Sequence, residues 1–197
     1  AGSSTPATLY MNLLAAFTVL LRKYSGQNDM IVGTGVSGRH HADLQQVIGM
    51  FVNTLPIRVR PREKMTYSLY LDRVKEVCLD AFANQDVQLE DLVEALDLPG
   101  DPSRNPLFDV TLVVQNFEQT GKQLEEITIT PIHYGNKTAK FDLTLYAFDM
   151  GEDIGFILEY YTPLFSRSTI ARMKDHFLNI MRRVGEDPGI SIGALEI

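Results

Sequence analysis

The sequence predicts an α/β domain in which helices flank a mixed, largely antiparallel sheet. Three observations predict it. Apolar residues recur at helical spacing in several separate stretches, short apolar runs of strand length lie between them, and some of those runs are joined too closely for a helical crossover.

The elements read in order. Thr5 and Pro6 are placed to start a first helix, as N-cap and first-turn residue, and Tyr10, Leu13, Phe17, Leu20 and Tyr24 follow at helical spacing. That helix should stop near Ser25 and Gly26. Residues 30–32 form a short apolar strand candidate before a glycine-rich loop. Residues 51–60 read as a strand in which Leu55, Ile57 and Val59 alternate with Pro56, Arg58 and Arg60. Pro56 cannot donate to a ladder, so it marks an edge, an end or a bulge. Thr66 is placed to cap a second long helix reaching about Asn84, with Leu71, Val74, Val77, Cys78, Ala81 and Phe82 on its apolar side. A shorter helix follows with Leu89, Leu92, Val93 and Leu96 on one face, and residues 99–102 break it. Strand-like runs then span residues 107–114, 126–132, 141–148 and 154–161. Ser166 opens a last helix carrying Ile170, Met173, Phe177, Ile180, Met181 and Val184, and residues 190–197 are apolar enough to add one more strand.

Of the 197 residues, 45% are hydrophobic and 22% charged, which suits one soluble globular domain with a real core. The formal net charge is -7 and no run of Lys or Arg is present, which argues against a nucleic-acid partner. No apolar run approaches the roughly 18 residues that span a bilayer, and no leader pattern opens the sequence, so no membrane association is expected. Cys78 is the only cysteine; an internal disulfide is impossible, and a cytoplasmic location is expected.

Gly33-Thr34-Gly35-Val36-Ser37-Gly38 is a literal G-x-G-x-x-G behind a strand candidate. A dinucleotide fold would need a helix next, then a parallel strand ending in an acidic residue about 20 positions on. Here the next strand begins where that helix should still be running. Arg58 or Arg60 would suit an NADP phosphate, but not so short a crossover. A loop that needs small residues for close packing is the preferred reading, and an NADP-binding oxidoreductase fragment is the remote one. His40 and His41 are neighbours and diverge on either a strand or a helix; with only Asp43 nearby, a shared metal lacks a third ligand. Cys78 falls inside a helical apolar stripe and reads as a core thiol. Asp86, Glu90, Asp91 and Glu94 read as a solvated acidic face. An Asp–Arg pair around Asp101 and Arg104 is placed to pin a Pro-bounded turn to its neighbours.

Read together, four segments resemble the core motifs of nonribosomal peptide synthetase condensation domains, in the family's order. Tyr24-Ser25-Gly26-Gln27-Asn28-Asp29, through Val32-Gly33-Thr34 to Ser37-Gly38-Arg39, resembles YxGQxDxxVGTPxxGR. Residues 48–58 match IGxFVNTLPLR. Gln85, Asp86, Glu90, Leu92 and Val93 resemble HQDxPFExLV, and residues 101–108 resemble DxSRNPLF. Lys140-Phe141-Asp142-Leu143 adds a fifth phrase. Gly35, Asn84 and Leu89 stand where the family usually has Pro, His and Phe. The family's catalytic HHxxxDG belongs to the N-terminal half and is absent: His40-His41 is followed by no Asp-Gly at the right place.

The resemblance implies the C-terminal subdomain over residues 8–197, with residues 1–7 as a leading remnant or linker. It implies one lobe of a V-shaped, chloramphenicol acetyltransferase-like fold. In that family an acceptor amine attacks a donor thioester in a tunnel between two lobes, each substrate arriving on the 4'-phosphopantetheine arm of a carrier domain. The implied partners are the N-terminal condensation subdomain, upstream and downstream peptidyl carrier domains and a following adenylation domain, with self-association through the uncovered surface also open. No cofactor is expected to be held by this chain, and no catalytic residue is transferred to it. Ser37, Gly38 and Arg39 are expected on a loop that floors the tunnel, and residues 134–139 on a connection that latches across to the other lobe. Asn53 and Asn116 are expected either to hydrogen-bond substrate amides or to satisfy turn backbone. Epimerization, heterocyclization and silent recruiting domains are the related alternatives; Asn53-Thr54-Leu55-Pro56 favours condensation over epimerization.

Overall fold

The computed structural model describes residues 6–39, 41–98, 101, 104–116 and 138–197. Helix α1 (Leu9–Ser25) leads into strand β1 (Met30–Val36), a 3-10 turn (Ala42–Leu44) and strand β2 (Asn53–Val59). Helices α2 (Tyr67–Ala83) and α3 (Leu89–Ala95) follow, then β3 (Val110–Asn116), β4 (Leu143–Asp149), β5 (Ile154–Tyr160), helix α4 (Arg167–Glu186) and a 3-10 turn (Ile192–Ala194). The strands form one sheet in the order β2-β1-β3-β4-β5. β1 runs antiparallel to β2 and parallel to β3; β4 runs parallel to β3 and antiparallel to β5. The sheet is mixed, as expected, and two of the four strand pairings among the described residues are parallel. The reason is that β1 and β3, neighbours in space, are separated in sequence by β2, α2 and α3, the length that a parallel crossover requires.

Helix α1 is buried on all sides: Leu13, Leu14, Ala15, Ala16, Phe17, Thr18, Val19 and Leu20 are all inaccessible to solvent. A helix apolar all round belongs in the middle of a layer, and α1 packs against both α2 and α4. The sheet supplies Val32, Leu55, Ile57, Leu112, Leu145 and Ala147 to the same cluster. Thr18 and Tyr70 reconcile two polar groups with this core: their hydroxyls lie 2.7 Å apart, and the Thr18 proton goes to the Leu14 carbonyl at 2.7 Å. The other face of the sheet carries the alternate residues, among them Gly33, Gly35, Thr111, Tyr146 and Ile157.

Local chemistry sets the element ends. Thr8, not Thr5, caps α1, its hydroxyl accepting from the Met11 N–H at 3.3 Å; Pro6 precedes the helix, and Thr5 lies outside the described residues. Gly26 closes it in the left-handed region at φ 71°, giving its N–H to the Arg22 carbonyl at 2.8 Å. Pro56 sits on an edge strand, opposite Gly33, where a missing donor is harmless. The apolar C-terminus is not a strand. Ser191 caps a 3-10 turn, and the N–H groups of Ile192 and Gly193 go to the Met65 and Glu63 carbonyls at 2.9 and 3.0 Å. This buries Ile192 and Leu195 in the helical layer instead of extending the ladder. The strand expected over 126–132 and the connection over 134–137 lie outside the described residues.

Candidate functional site

The parallel strands β1, β3 and β4 all end at one edge of the sheet, and ligands of open α/β sheets lie outside such carboxyl ends. Val36 closes β1 opposite Asn53, which opens β2. Asn116 closes β3 beside Asp149, which closes β4. Ser37, Gly38 and Arg39 follow β1 directly, so all five residues singled out from the sequence share this end of the fold. A hollow of about 300 Å³ opens at the same end of the sheet, lined by Thr8, Thr34, Gly35, Val36, Val114 and Asp149. Two larger hollows, of about 600 and 740 Å³, lie away from these residues, and Arg58 lines both.

The G-x-G-x-x-G splits by role. Gly33 and Gly35 are inside β1, and no helix follows. A Cβ at Gly33 would come within 2.2 Å of the Phe108 ring, so this position is held small by aromatic packing. Gly38 has φ +62°, and a Cβ there would lie 2.0 Å from the Phe51 carbonyl oxygen. The glycine therefore lets the two ends of the 38–51 loop close on each other.

Arg39 then sets the interior of that loop. Nη1 donates to the carbonyls of Leu44 and, at 2.7 Å, Val47; Nη2 donates to Gly49 at 3.1 Å. The guanidinium carbon stands 4.4 Å from the centroid of the Phe51 ring. Its donors are thus turned inward onto backbone, whereas the sequence alone suggested a group facing a tunnel. Ser37 is exposed. Asn53 is buried, and its Nδ2 donates to the carbonyls of Gln85 and Val87, both at 2.8 Å, while Oδ1 accepts from the Thr54 N–H at 2.8 Å. Three of its four hydrogen-bonding capacities are spent on backbone that links β2 to the segment before α3.

The remaining candidates lie apart. His41 caps the Ala42–Leu44 turn, with Nδ1 3.3 Å from the Asp43 carboxylate; His40 is outside the described residues. Cys78 is buried, and burial pushes its thiol up to about 12, far from the thiolate a nucleophile needs. Arg104 meets Asp142 at 3.5 Å and Asp109 at 3.8 Å, and Asn105 Oδ1 accepts from the Leu107 and Phe108 N–H groups. The arginine thus ties one motif segment to another, Asp142 being in the Lys140–Leu143 phrase. At the other end of the hairpin, Asp29 takes a two-pronged pair from Arg58 at 2.8 Å and a third bond from Arg60 at 2.9 Å. Arg58, then Arg60, hold its carboxyl well below the usual range, at about 2. Sequence reasoning missed two features: the carbonyl cage around Arg39, and the exposure of the loop's apolar residues. Only the run Val47-Ile48-Gly49-Met50-Phe51-Val52, apolar without either regular period, hinted at the second.

A model of the condensation-domain family matches residues 2–197. The chain belongs to the condensation-domain family. Bacitracin synthase 3 of Bacillus licheniformis is 51% identical over 180 residues, covering 91% of this chain. Tyrocidine synthase 3 of Brevibacillus parabrevis is 45% identical over 195 residues, covering 99%. The chain spans only 3% of the length of each of these synthetases. Among solved structures, the X-domain from teicoplanin biosynthesis superposes with a TM-score of 0.86 and 28% identity, over 96% of this chain and 44% of that one. A four-domain nonribosomal peptide synthetase bound to AMP and glycine gives a TM-score of 0.84 at 24% identity, over 94% of this chain and 15% of that one. The fold is a lobe of the chloramphenicol acetyltransferase-like architecture that condensation domains share. Among the described residues, no helix is long and apolar enough to cross a membrane, and no group of three or more His, Cys, Asp or Glu could hold a metal ion.

Proposed function

We propose that this chain is the C-terminal lobe of a peptide-bond-forming condensation domain and supplies one wall of the tunnel where two carrier-borne substrates meet. The amine of an aminoacyl thioester attacks the carbonyl of a donor thioester. The new C–N bond replaces a C–S bond, the donor's pantetheine thiol leaves, and the amine loses a proton. A histidine of the HHxxxDG motif on the other lobe orients or deprotonates the amine. This lobe contributes placement: holding two tethered groups in line turns a bimolecular attack into an effectively unimolecular one.

One observation carries this reading: the segments that match the family's first two motifs here converge, through Ser37, Gly38, Arg39 and Asn53, on the carboxyl ends of the parallel strands. Ser37 to Arg39 begin the loop that floors the tunnel. The partners are the N-terminal subdomain, the flanking peptidyl carrier domains with their 4'-phosphopantetheine arms, and an adenylation domain, at work in the cytoplasm in the assembly of an antibiotic-like peptide.

The test uses the synthetase module with both carrier domains loaded. The whole domain forms peptidyl thioester, detected by mass spectrometry; this chain alone forms none, and joining it to the upstream lobe restores activity. Peptide formation by the chain alone would refute the division of labour. A second reading, a recruiting module without condensation activity, draws on the 28% identity and TM-score of 0.86 to an X-domain. An intact HHxxxDG upstream together with peptide formation decides against it.

A further inference from the structure

We infer that Arg39 is a positioning residue for the condensation reaction: it holds residues 44–52 in one shape, so that Ile48, Met50 and Val52 project as a preformed apolar crest that seats on the domain's other lobe. The inference rests on the preceding reading, that this chain is one of two lobes.

The loop has no core of its own. None of residues 41–52 is buried, and its only regular element is a single 3-10 turn. Ile48 is fully exposed (101%), Met50 is 93% exposed and Val52 64%. Three large apolar residues so placed on one loop are not ordinary surface scatter. Burial does not hold them in place. What remains is the Gly38–Phe51 closure and the Arg39 side chain.

Arg39 is built for that task. Its planar fork reaches the carbonyls of Leu44, Val47 and Gly49, which alternate with or flank the crest residues, and its face lies on the Phe51 ring. Among the described residues its partners are three backbone oxygens and a ring. A lysine keeps the charge, but as a compact point charge it reproduces neither the fork nor the stack. The occupant of the crest is the other lobe. The chain spans 44% of the matched X-domain, so a partner of similar size belongs to the same fold. The crest also stands at the end of the sheet where the family motifs converge. The chemistry that suits it is a dry, apolar hollow rather than a charged surface.

The experiment uses the intact synthetase with both carrier domains preloaded, which takes loading out of the measurement. For Arg39→Lys we expect single-turnover peptide formation to fall about 100-fold, as for other small misplacements of reacting groups, with an unchanged melting temperature. Amide hydrogen exchange over residues 44–52, slow in the wild type, becomes fast. The double variant Ile48→Ser, Met50→Ser leaves the staple intact, so it should reproduce the loss of rate while residues 44–52 keep their slow exchange. The inference is overturned if Arg39→Lys keeps its rate within about twofold, or if residues 44–52 exchange as fast in the wild type as in Arg39→Lys. A wild-type synthetase that makes no peptide bond would sink the condensation reading, and the exchange comparison would still decide the role of the crest.

Discussion

The β1–β2 hairpin carries an arginine cluster at each end, and the two behave differently. At the N-terminal end of β1, Arg58 and Arg60 share the Asp29 carboxylate through side chains alone. At the C-terminal end, Arg39 binds, among the described residues, backbone carbonyls and a ring. The first cluster joins residues whose strands the core beneath them has already fixed. The second supplies order where there is no core. A surface ion pair on a rigid sheet adds little, because the geometry exists without it. An arginine inside a coreless loop creates the geometry. One end of the hairpin is therefore tied down by the core, and the other is a coreless loop gathered around one side chain.

Four substitutions sharpen or break this contrast. Leu13→Ala, in the scaffold beneath both ends, removes a fully buried side chain and should cost about 2–5 kcal/mol in denaturant unfolding. Ile48→Ala should stay within about 0.5 kcal/mol in the same assay. If the two effects were equal, the loop would have a hidden core. Asn53→Ala removes the side-chain donor from the carbonyls of Gln85 and Val87, which lie at partly exposed positions, and should cost about 0.5–1.5 kcal/mol, with faster hydrogen exchange at residues 85–88. Gly38→Ala forces a side chain into a left-handed conformation against the Phe51 carbonyl, costing about 1–3 kcal/mol of local strain. Its melting temperature should fall less than its rate of peptide formation.

The smallest effect belongs to Asp29→Asn. Asp29 has a folded-state pKa of about 2 against an ordinary 3.8, lowered chiefly by Arg58. A depressed carboxyl contributes stability that is complete above the ordinary value and lost as pH falls from about 4 toward 2. The variant should be slightly less stable at pH 7 and should show a shallower acid-induced loss across that window in a urea titration. A variant that tracks the wild type at every pH would show that the cluster contributes nothing.

Most of the fold was legible because it follows short-range rules. The 3.6-residue recurrence in α1, α2 and α4, Gly26 as a stop, Thr66 and Ser166 as caps, and Pro56 as an edge residue all act within a turn or two of chain. The misreadings arose where distant partners compete with local preference. Residues 190–197 have strand composition, but the carbonyls of Glu63 and Met65 claim the N–H groups of Gly193 and Ile192. Thr5 is a good cap, yet Thr8 is the residue positioned at the first turn.

The site divides along the same line. Sequence alone determined which residues gather: the motif spacing placed Ser37, Gly38 and Arg39 just after one strand and Asn53 at the start of the next, and an antiparallel hairpin must bring those points together. Only the tertiary structure decided what they do there. Arg39 faces carbonyls 5 to 10 residues away in an aperiodic loop, and Asn53 reaches carbonyls 32 and 34 residues away. The direction of a side chain's hydrogen bonds depends on which unsatisfied backbone the packed chain brings within about 3 Å, and no local pattern encodes that.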